Sequence, residues 1–112
     1  MNGAREKILD AVERWTDVTV HQHRSGGTGF RLGKRELGHL HDESMLDIPF
    51  PMKIRNELVL SGMAQEHHML PKSVWVSFYI RTAGDVEQAI ALLGRSFDVA
   101  MSQASVRAQR SV

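Results

Sequence analysis

Residues 30–41 have the sequence FRLGKRELGHLH, and this stretch decides the fold class expected for the chain. A glycine followed by Lys34 suits the two central positions of a type II′ turn, which joins neighbouring antiparallel strands. Leu32 and Arg35 then flank the turn, and the residues beyond them pair across a hairpin. An antiparallel sheet is therefore expected at this point of the chain.

The hairpin turn also predicts which side chains share a face of the sheet. Counting outward from the turn, the predicted pairs are Arg31 with Glu36, Phe30 with Leu37, and Gly29 with Gly38. Strand alternation then puts His39 and His41 on the apolar face that holds Phe30 and Leu37. A β-bulge at either glycine would change this register.

Helical and strand periodicity predict the other elements. Apolar residues at helical spacing indicate a helix over residues 3–15, with Asn2 as its cap. Alternation indicates a short strand over 19–23. A polar loop and a Pro-Phe-Pro segment lead to a helix over 52–62, which ends at Gly62. The strongest strand pattern is at 74–80, and its two apolar faces indicate a central position.

The last helix is predicted to begin at a capping box formed by Thr82 and Asp85. Its apolar stripe consists of Val86, Ala89, Ile90, Leu93 and Phe97. The order α-β-β-β-α-β-α clusters the strands, which favours an α+β fold: a two-layer antiparallel sheet with helices packed on it. We expect a single domain over residues 1–102 and a frayed or disordered tail over 103–112.

Composition excludes several classes of function. The 112 residues contain no cysteine, which rules out disulfides, thiolate zinc sites and a cysteine nucleophile. No apolar stretch is long enough to span a membrane. The first 15 residues carry charges throughout, unlike a signal peptide, and we expect a cytoplasmic protein. The net charge of +1 gives no general attraction to nucleic acid.

Six histidines lie between positions 21 and 68, and they are the main candidates for chemistry. Imidazoles two residues apart on a strand share a face about 6–7 Å apart at Cα, so His39 and His41 could bind one divalent metal ion. His67, His68 or Glu66 could supply the third ligand, and the preferred metal set is His39, His41 and His68. The alternatives are hydrogen-bonding roles and metal-free catalysis by His39, His41, His67 or His68.

A group of acidic residues and a group of basic residues give weaker indications of function. The acids Asp42, Glu43 and Asp47 are predicted to lie in the loop after HLH, either as general bases or as solvated side chains. Basic residues cluster at Arg24, Arg31, Lys34 and Arg35, where they could contact phosphates. The competing interpretation pairs Arg31 with Glu36 and leaves the cluster without a nucleic-acid role.

Four segments of the chain resemble a small bacterial family known as luciferase-domain proteins. They are FRLGKRELGHLH at 30–41, LDIPFP at 46–51, EHHMLP at 66–71 and WVSFYIR at 75–81. The family is distantly similar to fungal luciferases, which oxidise a hydroxylated pyrone with dioxygen. The strand at 75–80 with its helix is also similar to MmcQ/YjbR-type double-wing proteins, which implies an α+β sheet and a role in nucleic-acid binding.

The resemblance implies an oxygenase-like or small-ligand-binding domain with a histidine-lined pocket. Its walls would contain His39, His41 and His67 or His68, and its ligand-binding residues would be Phe30, Leu37, Trp75 and Asp42. A histidine would remove a proton from a phenol or enol that dioxygen then attacks. The alternative is a non-enzymatic interaction module, either a homodimer or a nucleic-acid binder that uses the basic hairpin.

Overall fold

The structure, a computed structural model, describes residues 3–22 and 26–110 and contains a six-stranded sheet and three helices. In chain order the elements are α1 (Ala4–Val12), β1 (Val18–Gln22), β2 (Thr28–Leu32), β3 (Arg35–His41), β4 (Met45–Pro49), α2 (Met52–Leu60), β5 (Gln65–Glu66), β6 (Trp75–Tyr79) and α3 (Ala83–Arg110). The predicted α+β class is confirmed.

All neighbouring strands are antiparallel, in the order β1-β2-β3-β4-β6-β5. Helices α1 and α3 contact each other, and α3 also packs on β3 and β4, whereas α2 contacts β5 and β6. Two strands are additional to the predicted order. The prediction of a loop at Asp47 is wrong, since this residue lies on β4, and β5 is only two residues long.

The hairpin turn is confirmed in its position and its first two pairs. Leu32 pairs with Arg35, and Arg31 pairs with Glu36. Gly33 has a φ of 61°, and Lys34 is not among the described residues with positive φ. Because a type I′ turn needs positive φ at both central residues, this combination fits type II′.

Beyond those pairs the predicted register is wrong, because a β-bulge interrupts the pairing between Phe30 and Arg31. Phe30 pairs with Gly38 rather than with Leu37, and Gly29 pairs with His39 rather than with Gly38. The bulge adds one residue to β3, and an odd shift moves every later side chain to the other face. His39 therefore lies on the face opposite to Phe30.

The hydrophobic core lies between the sheet and the helices α1 and α3. Buried strand residues on this side include Phe30, Leu40, Leu46, Ile48 and Val76, and they face Ile8, Val12, Val86, Ala89 and Leu93 on the helices. β3 and α3 approach each other closely at Gly38, since a Cβ there would lie 2.6 Å from Cδ2 of Leu93. The opposite face of the sheet is left for polar side chains.

The end of α1 differs from the predicted one, whereas the predicted start of α3 is present. α1 ends at Val12 rather than at residue 15, because the N–H groups of Arg14 and Trp15 bond three residues back in a tight turn. The capping box before α3 is present: the N–H of Thr82 donates to Asp85, whose own N–H donates to Oγ1 of Thr82.

α3 continues to Arg110, the side chains over residues 101–109 are exposed, and the predicted frayed or disordered tail stays a prediction. The predicted cap Asn2, together with His23 and Arg24, lies outside the described residues. Across the described residues, no helix combines the length and the apolar character that crossing a membrane would require.

Candidate functional site

A row of residues crosses the sheet on the face that points away from α1 and α3. Cross-strand pairing places Gly29, His39, Asp47, Ser77 and Gln65 side by side on successive strands. His41 follows two residues after His39 on β3 and shares this face by alternation. The sheet register therefore brings two imidazoles and one carboxylate together at its centre.

The carboxylate of Asp47 contacts four other polar side chains of the site, and we call this carboxylate the hub. Asp47 is only 3% exposed, and its Oδ1 accepts a hydrogen bond from the Ser77 hydroxyl at 2.7 Å. Its Oδ2 lies 2.7 Å from Nε2 of His41, 3.1 Å from Nε2 of His68 and 3.2 Å from Nε2 of His67. Since one carboxylate oxygen offers about two lone-pair directions, three ring nitrogens exceed its normal hydrogen-bonding capacity.

The surroundings of Asp47 favour its ionised form. Burial by itself raises the pKa of this carboxyl group, because it penalises the charge. Hydrogen bonds from Ser77, His68 and His41, together with the electrostatic attraction of the nearby His67 ring, outweigh burial and hold the pKa below the ordinary value of 3.8. Asp47 is therefore a buried anion that orients the imidazoles around it.

His67 and His68 reach the hub from the segment that follows β5. The N–H of His68 donates to the Ser77 hydroxyl at 3.3 Å, which fixes this segment over the sheet. The Nδ1 atom of His67 accepts the N–H groups of Met69 and Leu70 at 3.1 and 3.0 Å. A nitrogen that accepts cannot also carry a proton, so the hydrogen bonds assign the Nε2–H tautomer to His67, with Nε2–H donating to Asp47.

Arg55 on α2 anchors the same segment from the other side. Its guanidinium group donates to the carbonyl oxygens of Ser73, at 3.1 Å, and of Pro71. It also lies 3.5 Å from the carboxylate of Glu66, the residue before His67. Arg55 is itself almost fully buried, so its hydrogen bonds are shielded from water. They restrain the segment that contains His67 and His68.

A cavity of about 280 Å³ opens beside the hub. Its lining residues are Glu36, His39, His41, Asp47, His67, Leu70 and Trp75. The His41 side chain is 41% exposed, so it is the most accessible partner of Asp47. The rings of His67 and Trp75 meet edge to face, with centroids 6.4 Å apart. The cavity thus combines imidazoles and carboxylates with one aromatic wall.

The remaining described histidines differ in their relation to the site. The ring of His39 lies 4.4 Å from that of His41, between centroids, and it occupies the space that a side chain on Gly27 would fill. His21 bonds to the hydroxyl of Thr19 on the edge strand β1 and does not line the cavity.

The structure brings together four of the predicted candidates and separates three others. His39, His41, His67 and His68 gather around the cavity and its hub. Phe30 and Leu37 are fully buried in the hydrophobic core on the other face, a direct consequence of the bulge, and Asp42 lies in the exposed β3–β4 turn. Trp75 lines the cavity as expected.

The sequence analysis named Asp47 as a possible general base but assigned it to a loop, and it did not single out Arg55. Asp47 lies on a strand rather than in the predicted loop, and the signal was an acid between Leu46 and Ile48, both core residues. Arg55 lies three residues before Leu58 and so shares the buried side of α2.

One group of described residues has the geometry of a metal site: His41, Asp47 and His68. One potential ligand atom from each lies within 4.8 Å of the others. The predicted set of His39, His41 and His68 shares two members with this group. Two imidazoles and a carboxylate are a ligand combination that suits several divalent transition metals and leaves positions open for a substrate.

Of the comparisons with known proteins, the one with protein families agrees with the family resemblance of the sequence motifs. No curated protein and no solved structure matches the chain. The model of one family, described as the luciferase domain, matches residues 34–96, a range that contains His39, His41, Asp47, His67 and His68. The match covers more than half of the 112 residues, and the protein therefore belongs to the luciferase-domain family.

Proposed function

We propose that this domain binds a small planar molecule with an acidic hydroxyl group, a phenol or an enol, and acts on it as an oxygenase-like enzyme. The observation that carries the proposal is the short contact between Nε2 of His41 and the buried carboxylate of Asp47, 2.7 Å, at the edge of a cavity. Membership in the luciferase-domain family supports the oxygenase-like assignment.

His41 is the general base of the proposed reaction. When its Nε2–H donates to Asp47, the lone pair of the ring is on Nδ1 and is able to accept a proton. The carboxylate holds this tautomer and stabilises the imidazolium that forms, as in other carboxylate–histidine pairs. The proton leaves the hydroxyl oxygen of the ligand for Nδ1 of His41, and the resulting anion is the electron donor that dioxygen oxidises.

The size and walls of the cavity support a small aromatic or enolic ligand. Ligand pockets commonly have volumes of about 300–1,000 Å³, and this cavity of about 280 Å³ is just below that range, which favours a small ligand. The indole of Trp75 offers a stacking surface, and Leu70 adds an apolar contact. Glu36 and His39 provide hydrogen-bonding groups at the rim.

A panel of hydroxypyrones and simple phenols tests the proposal, with binding followed by saturation-transfer NMR and turnover by oxygen consumption. We expect at least one compound to bind, and His41→Ala to weaken its binding about tenfold or more. His21→Ala is the matched control, because His21 lies on the edge strand and its loss leaves the cavity unchanged. Equal binding by the His41→Ala variant and the wild-type protein would remove His41 from the mechanism.

The basic hairpin gives less support to a nucleic-acid role. Arg31 faces the oppositely charged Glu36 across the hairpin, and Arg35 donates to Gln103 on α3. The carboxylate of Glu36 offsets the charge of Arg31, the bond to Gln103 holds the Arg35 side chain against α3, and the whole chain has a net charge of only +1. We therefore give the small-ligand function preference.

A further inference from the structure

We propose that His41, His68 and Asp47 form a binding site for a divalent first-row transition metal ion. The ligand atoms are Nε2 of each histidine and Oδ2 of Asp47, and two of these residues, His41 and Asp47, line the cavity. The proposal rests on the proposed function and changes one role in it: with the ion bound, His41 is a ligand instead of the general base. The ion then promotes loss of the proton, because a hydroxyl group bound to such an ion loses its proton more readily than a free one.

The distances already approach those of a coordinated ion. A tetrahedral metal ion with bonds of about 2.0–2.1 Å places neighbouring ligand atoms about 3.3 Å apart. The Nε2–Oδ2 distances are 2.7 Å for His41 and 3.1 Å for His68. Ring nitrogens of His41 and His68 lie within 4.8 Å of each other, so rotation of these two side chains would bring the three ligand atoms to this spacing.

The crowding at Oδ2 of Asp47 is the second observation. Three ring nitrogens lie within 3.2 Å of this one oxygen, more than its lone pairs can serve as hydrogen-bond acceptors. An ion between His41, His68 and Asp47 relieves this excess, since both imidazoles then coordinate the ion instead of donating to the oxygen. Their ring protons move to Nδ1 on binding.

His67 is excluded from the ligand set by its hydrogen bonds. Its Nδ1 accepts two backbone N–H groups, so its proton is on Nε2 and no ring nitrogen is free to coordinate. Its Nε2–H instead donates to the carboxylate of Asp47 at 3.2 Å. His67 is thus a positioning residue, which holds the carboxylate in place for the ion.

Titration with Co²⁺ tests the site directly, on untagged full-length protein treated first with a chelator. Visible absorption reports the coordination of the ion, and calorimetry gives the stoichiometry. We expect one Co²⁺ per chain, with the visible band lost in His41→Ala and His68→Ala. His67→Gln keeps an amide donor and should retain the band, with affinity weakened about 10- to 100-fold.

The control variant is His21→Ala, which removes one imidazole of the His-Gln-His stretch at residues 21–23, a competing chelating pair in the sequence. It should bind Co²⁺ as the wild-type protein does. Circular dichroism checks that each variant is folded. Loss of uptake in His21→Ala with retention in His68→Ala would overturn the proposal, as would a band that His67→Gln abolishes as fully as His68→Ala does.

The results of Co²⁺ binding and phenol binding together distinguish a failure of the metal site from a failure of the proposed function. If the chelator-treated protein binds a phenol but no Co²⁺, the metal site is wrong and the ligand-binding function stands. If one Co²⁺ binds to His41, His68 and Asp47 but no hydroxypyrone or phenol binds in either state, the metal site stands and the ligand class is wrong.

Discussion

Replacing Ser77 with alanine should destabilise the domain more than replacing Ser96, although both serines are buried hydroxyl donors. The Ser77 hydroxyl donates to the Asp47 carboxylate at 2.7 Å, whereas the Ser96 hydroxyl donates to the carbonyl oxygen of Leu37 at 2.9 Å. The two side chains are 0% and 1% exposed. The two variants therefore differ in the charge of the acceptor, and Ser77→Ala also removes the weaker bond that the N–H of His68 donates to this hydroxyl at 3.3 Å.

The magnitudes follow from the type of acceptor. A hydrogen bond to a charged group contributes about 1.5–3 kcal/mol to the free energy of unfolding, and one between neutral groups about 0.5–1.5 kcal/mol. For a chain of this length each kcal/mol lowers the Tm by roughly 4 °C. We thus expect Ser77→Ala to lower the Tm by roughly 6–12 °C, and Ser96→Ala by roughly 2–6 °C.

Urea unfolding followed by far-ultraviolet circular dichroism measures both free energies under identical conditions. The slopes of the two transitions should equal that of the wild-type protein. A cost for Ser77→Ala no larger than that for Ser96→Ala would refute the reasoning, because it would mean that Asp47 is not an anion that needs this donor.

Three further perturbations test other parts of the account. Gly38→Ala should lower the free energy of unfolding by about 1–3 kcal/mol in urea titrations, since the new Cβ would lie 2.6 Å from Cδ2 of Leu93; an unchanged value would argue against the bulged register. The pKa of Asp85 should be below 3.8 by NMR titration, because the backbone N–H of Arg81 bonds its carboxylate. Its stabilising effect is then present above that pH and lost as the pH falls through the lowered pKa, so the Asp85→Asn variant should approach wild-type stability only in acid. Arg55→Met should increase hydrogen exchange in the loop that Arg55 anchors, and unchanged protection there would contradict the anchoring role.

The hairpin shows how far local sequence rules extend. The turn at Gly33 and the pairing of Arg31 with Glu36 follow from turn chemistry and from counting residues, and both are confirmed. At the bulge that follows, Gly38 packs against Leu93, which is 55 positions away. No short-range pattern contains that contact, and the face of His39 was therefore predicted wrongly.

The candidate site shows the same limit. The histidine pairs were evident from their spacing, but Asp47 meets His67 and His68 across 20 and 21 residues. Such a meeting requires the cross-strand row that links Asp47 to Ser77. Alternation along a strand predicts the face of the sheet on which a side chain lies. Only the complete strand order determines which side chains on that face are neighbours.

The central claim is that the imidazoles of His41, His67 and His68 converge on Asp47, and histidine NMR tests it most directly. Long-range ¹H–¹⁵N spectra of the metal-free protein at alkaline pH should show His67 with its proton on Nε2. Asp47→Asn should shift the ring nitrogens of these three histidines and leave those of His21 unchanged. The account would be contradicted by a proton on Nδ1 of His67. It would also be contradicted if the ring-nitrogen signals of the three histidines did not shift in Asp47→Asn.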